Sequence, residues 1–140
     1  MKKIVSLLIL TAVLIASCTK SSNTPDDYNT TNSTIVTGDF TITKFSNSNP
    51  DEDNAANFSG YVFTFSANGN IAGVKNGVTT QGTYTEKPSH EGEAAKLTIS
   101  FNDAPLNELN KSWEIDVISD SQIYLSDDDN AGEVLHFTAL

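Results

Sequence analysis

From position 35 onward, apolar and polar residues alternate with a period of two. In FTITKF, Phe40 and Ile42 stand against Thr41 and Thr43. In YVFTF, Tyr61, Phe63 and Phe65 share one face, with Val62 and Thr64 on the other. KLTISF sets Leu97, Ile99 and Phe101 against Thr98 and Ser100, and SWEIDVIS sets Trp113, Ile115 and Val117 against Glu114 and Asp116. Successive side chains of an extended chain point to opposite faces, so this alternation predicts half-buried antiparallel strands. The supply of Val, Ile, Thr and aromatic residues agrees with that state.

Short polar breaks separate these runs. Asn68-Gly69-Asn70 and Asn76-Gly77 place residues that tolerate positive φ where tight hairpins need them. Ser119 to Ser121 and Asp127 to Gly132 punctuate the C-terminal third, and Pro88 to Gly92 forms a looser break. Strands this short and this regular, about eight of them, predict an all-β antiparallel meander. It would close into a small barrel or fold as a β-sandwich. Two connections are longer. NDAPLNELNK, with Pro105 ahead of Leu106 and Leu109, predicts a helical turn whose leucines plug one end of the sheet. SNSNPDEDNAAN, residues 46–57, is polar and acidic and reads as a mobile surface loop.

The first 17 residues follow a different pattern. Lys2 and Lys3 precede IVSLLILTAVLIA, an apolar run shorter than the roughly 20 residues a membrane-crossing helix requires. A charged start, a short apolar stretch and small residues at its end mark a secretory signal. Ile15-Ala16-Ser17-Cys18 resembles the lipobox of bacterial lipoproteins. That resemblance implies cleavage before Cys18 and acylation of its sulfur and its new amine. Several acyl chains on one residue hold a protein to a membrane far longer than a single chain does. Residues 19–34, TKSSNTPDDYNTTNST, are too polar to bury a core and read as a flexible tether. The expected organisation is a signal at 1–17, the lipidated Cys18 and tether at 18–34, and a β domain at 35–140. The expected location is the bacterial outer membrane. No acidic motif follows Cys18 closely, which leaves the periplasmic and surface faces both open.

Cys18 is the single cysteine. Its acylation removes disulfides, thiol catalysis and cysteine metal ligands together. The formal charge is −10, arginine is absent, and cleavage at Cys18 would discard two lysines and no acid. Phosphate recognition depends on basic patches and Arg forks, so nucleic acid and anionic lipid headgroups are excluded as partners.

The order of elements resembles the small lipocalin-like lipoproteins of Bacteroidota. The resemblance rests on Tyr61, Phe63, Phe65 and Gly69; on Gly82, Thr83 and Tyr84; on Leu109, Trp113, Ile115 and Val117; on Ser121, Ile123 and Leu125; and on Leu135 and Phe137. Phe40 and Tyr84 stand where those proteins often carry Trp. The resemblance implies a small lipocalin-like barrel and supplies no catalytic residue.

Candidate chemistry is sparse. Asp127, Asp129 and Glu133 crowd one turn and suggest a weak calcium site. Their contiguous spacing departs from the alternate ligand positions of an EF loop, and a solvated hairpin turn is the competing reading. Asp51-Glu52-Asp53 is similar, and the two loops would share a site only at the same end of a barrel. His90 has Glu91 and Glu93 beside it, short of a stable ligand set, and His136 faces solvent if Leu135 and Phe137 face the core. No nucleophile elbow or triad pattern is present, so the expectation is a non-enzymatic protein without cofactor. An eight-stranded barrel is narrow, and its inward side chains nearly fill it. Phe63, Phe65, Phe101, Trp113 and Phe137 therefore read as core. Tyr61, Tyr84 and Tyr124, with Trp113 behind them, are the candidate lining of an apolar groove at an open end. Two functions follow: a module binding a small apolar ligand or an envelope partner, and a structural or interaction domain with a filled core, acting through sheet edges or acidic loops.

Overall fold

The computed structural model describes residues 35, 37–49, 51–127, 129 and 132–140; the expected signal, Cys18 and the tether lie outside them. Eight antiparallel strands run in chain order: β1 (Gly38–Ser46), β2 (Val62–Ser66), β3 (Asn70–Lys75), β4 (Val78–Lys87), β5 (Lys96–Phe101), β6 (Lys111–Ile118), β7 (Gln122–Ser126) and β8 (Val134–Ala139). Each pairs with its neighbours, and β1 pairs with β8, so the sheet closes into a small lipocalin-like barrel rather than a sandwich. Closure removes free strand edges. The sequence-based idea of partner pairing at a sheet edge therefore has no place in this fold.

Local chemistry builds the hairpins as expected. Asn76 and Gly77 both hold positive φ, 52° and 77°, between the paired Lys75 and Val78. Two central residues with positive φ make the tight turn whose twist suits adjoining strands.

The inward positions of β2, β5, β7 and β8 keep strict alternation: Phe63 and Phe65, Leu97, Ile99 and Phe101, Ile123 and Leu125, Leu135 and Phe137 are all buried. Two strands break it. β1 shifts register between Ile42 and Lys44, and β6 shifts between Ile115 and Val117. A bulge inserts one residue and reverses the faces beyond it. Phe45 is thereby turned inward at the end of β1, while Ser46 beside it is buried against Gly132 and Val134. In β6 the bulge overturns the expected inward place of Val117, which is 40% exposed, while Ile118 packs against the core.

In such a meander the β1–β2, β3–β4, β5–β6 and β7–β8 connections gather at one end, called here the far end. The other connections gather with the chain termini of the barrel. Two one-turn 3₁₀ helices cap the far end, Ala55–Phe58 and Leu106–Leu109. The second is the expected plug, with Leu106 and Leu109 fully buried. It is fixed by Asn110, whose side chain accepts from the Phe101 N–H at 2.7 Å and donates to the Phe101 carbonyl at 2.8 Å. The acidic 46–57 connection is tied down in its second half. Asp53 accepts from the N–H groups of Phe45 and Ala55, and the Phe58 ring stands edge-on to Phe45 at 5.2 Å. At the opposite end Ile35 is buried, and its N–H donates to Glu86 Oε1 at 2.8 Å.

Candidate functional site

The barrel interior is the first place to seek a ligand, and its own rings occupy it. Phe137 on β8 meets Phe63 and Phe65 on β2 at 5.4 Å, Phe65 meets Tyr84 on β4 at 5.3 Å, and Phe63 meets Phe101 on β5 at 6.5 Å. β2 and β5 are not neighbours in the sheet, so the Phe63–Phe101 contact spans the interior. All these pairs are steeply tilted, the edge-to-face packing aromatic rings favour.

The four aromatic groove candidates do not converge. Trp113 is 1% exposed, and its indole N–H donates to the Leu109 carbonyl at 3.0 Å, which satisfies a buried donor and seals the ring under the far-end plug. Tyr84 is a core residue rather than a rim residue. It is 8% exposed, and its hydroxyl donates to the Ser66 carbonyl at 2.8 Å. Burial, with the Glu86 charge behind it, raises its pKa above the usual 10.0. Tyr124 lies on the outer wall, where alternation with Ile123 and Leu125 had to put it, and stacks on His136 at 4.1 Å. Tyr61 alone sits half-buried at the far end, with the Lys75 ammonium 5.0 Å from its ring. His136 faces outward as its strand phase requires. Its pKa is lowered, first by burial and then by Lys44, against the pull of Asp116 and Asp53.

The acidic turn after β7 is organised by a cation the chain itself supplies. Lys111 Nζ bridges Asp127 and Glu133, both nearly buried, and also stands 5.5 Å from the Trp113 ring. Ser46 closes the turn from β1: its hydroxyl donates to the Gly132 carbonyl at 2.5 Å and accepts from the Val134 N–H at 3.2 Å. The Lys111 hydrogen bond holds the Asp127 carboxyl below its usual 3.8. Burial by itself would lower the Lys111 pKa, but its two carboxylate partners raise it above 10.5. Asp129 stays exposed, its N–H donating to Asp127 Oδ1. Of the three candidate calcium ligands, two thus face an ammonium, a partner that sequence spacing gave no means of finding. Asp53 and Asp127 do share the far end, yet among the described residues no cluster of three or more His, Cys, Asp or Glu is arranged to hold a metal.

Among the described residues, two shallow depressions stand out on the outer wall. One, between Lys87, Lys96, Glu93 and Glu114, is lined by charged residues of both signs, and Lys87 pairs with Glu93 at 2.6 Å. The other crosses β3, β4 and β5 and is lined by Asn70, Gln81, Gly82, Thr83, Ser100 and Asn102. The alternation in β4 and β5 marks Gln81, Thr83 and Ser100 as outward, but it does not reveal that they adjoin Asn70 and Asn102. Comparisons with protein-family models, with curated proteins and with solved structures return no match for this chain.

Proposed function

We propose that this chain is a lipid-anchored, non-enzymatic module of the bacterial cell envelope, with a structural interior and an exterior that meets an envelope partner. The anchor rests on the Lys2-Lys3 start, the short apolar run and the Ile15-Ala16-Ser17-Cys18 match. The Phe63–Phe101 contact across the interior carries the rest. A ligand inside the barrel would have to displace those rings, and one entering the far end would have to lift Leu106 or Phe58, both about fully buried. This favours the envelope partner over the small apolar ligand. Weak calcium binding in the acidic turn would have to compete with Lys111 for Asp127 and Glu133.

The test is mass spectrometry of the protein extracted from its own membrane after mild crosslinking. The expected chain begins at Cys18, carries acyl mass and is joined to another envelope component. A free thiol at Cys18, or a stoichiometric apolar small molecule held by the chain, would overturn the reading.

A further inference from the structure

Across β3, β4 and β5 the outward side chains fall on one register line, with Asn70 opposite Thr83 and Thr83 opposite Ser100. Gln81 and Asn102 flank that line, and together they border a groove of about 400 Å³. No lining residue carries a charge, although the chain as a whole is strongly acidic.

Several hydroxyls elsewhere on the outer wall have side-chain partners, although Thr41, Thr79 and Thr85 have none among the described residues. Thr43 pairs with Thr138 at 3.0 Å, Thr98 with Ser112 at 3.2 Å, Thr64 with Asp39 at 2.7 Å and Ser126 with Asp116 at 3.0 Å. In the groove, the side chains of Asn70, Gln81, Thr83, Ser100 and Asn102 make no hydrogen bond to another described residue. Three amides and two hydroxyls therefore turn both donors and acceptors toward one depression.

That chemistry selects its ligand. An anion would find no ammonium or guanidinium in the lining, a cation would find no carboxylate, and an apolar molecule would strip water from five polar groups without replacing the lost hydrogen bonds. A neutral polyhydroxyl compound matches this mixed set of donors and acceptors, and in a shallow depression open to water it keeps part of its own hydration. We propose that this groove binds an uncharged saccharide of disaccharide size, whether free or as a segment of a neutral glycan. The assignment rests on the exterior-acting reading above.

Saturation-transfer NMR on the full chain in a sugar-free detergent tests it. The probes are cellobiose, maltose and N,N′-diacetylchitobiose at millimolar concentration, with digalacturonate as the charged control and a neutral polysaccharide as the polymer arm. At least one neutral probe is expected to receive saturation while digalacturonate does not. A tighter response to the polymer would identify a glycan segment as the source. The Q81A/N102A variant, altered only at outward positions, is expected to weaken the response by about tenfold or more, the effect of roughly 1.4 kcal/mol, with an unchanged thermal midpoint. Silence from every neutral probe, equal binding of digalacturonate, or an unchanged response in the variant would overturn the groove assignment. Crosslinking to an envelope component could persist after any of those results, so failure of the groove and failure of the exterior reading are separable.

Discussion

Leu106 fills the space that a side chain on Gly73 would need: a Cβ at position 73 would stand 2.5 Å from Leu106 Cδ1. A side chain at residue 73 would therefore force the buried Leu106 of the far-end plug to shift. Gly73→Ala is expected to destabilise the barrel by about 1–3 kcal/mol through overpacking. Leu106→Ala is expected to cost about 2–5 kcal/mol through the cavity it leaves. Because the two side chains compete for one volume, the double variant should lose less than the sum. Urea unfolding midpoints read all three values.

Lys111 holds the β7–β8 turn to β6, so its removal leaves Asp127 and Glu133 facing each other without a cation. Lys111→Met is expected to cost about 2 kcal/mol at neutral pH, below the about 3–5 kcal/mol of a fully buried pair, because the lysine keeps 30% of its side chain in water. The pH dependence has a definite sign. The folded Asp127 pKa is depressed, so its contribution is complete above the ordinary 3.8 and is lost as pH falls through the folded value. Wild-type stability should drop in that acid window, and Lys111→Met should flatten the drop. Thermal melts across pH 2–7, an interval of about five units around the carboxylate range, make the comparison.

Tyr84 titrates in the opposite sense. Its folded pKa is raised, so the folded state keeps the phenolic proton longer than the unfolded chain does. Stability is therefore lost as pH rises above the unfolded value near 10.0. Tyr84→Phe should remove that alkaline loss and, at neutral pH, cost about 0.5–1.5 kcal/mol for the hydrogen bond to the Ser66 carbonyl. Absorbance titration of the tyrosinates, compared between wild type and variant, measures it.

Side-chain alternation by itself makes most of the barrel legible. It placed Phe63, Phe65, Leu97, Ile99, Phe101 and Phe137 inward, where they are buried. Asn76-Gly77 announced its hairpin, and Leu106 and Leu109 announced a plug. The misplacements have physical causes. A bulge carries no compositional mark, so the reversal of Val117 and Ile118 in β6 was invisible in the sequence. Residue type alone favours a rim for Tyr84, whereas its phase with Gly82, against Thr83 and Thr85, puts it inside. The same holds for Tyr124, which the phase of Ile123 and Leu125 puts outside. The Lys111 bridge and the polar groove bring together residues far apart in sequence, and only the register between strands joins them.

A barrel interior filled by its own rings leaves an apolar probe no room to enter. Trp113 is the chain's single tryptophan and is sealed beneath Leu109, so its fluorescence reports on that interior. Titration with a fluorescent fatty-acid analogue, read through Trp113 emission, is the most direct measurement. Blue-shifted emission that the probe neither quenches nor shifts is expected. Saturable one-to-one quenching with energy transfer to the probe would contradict it.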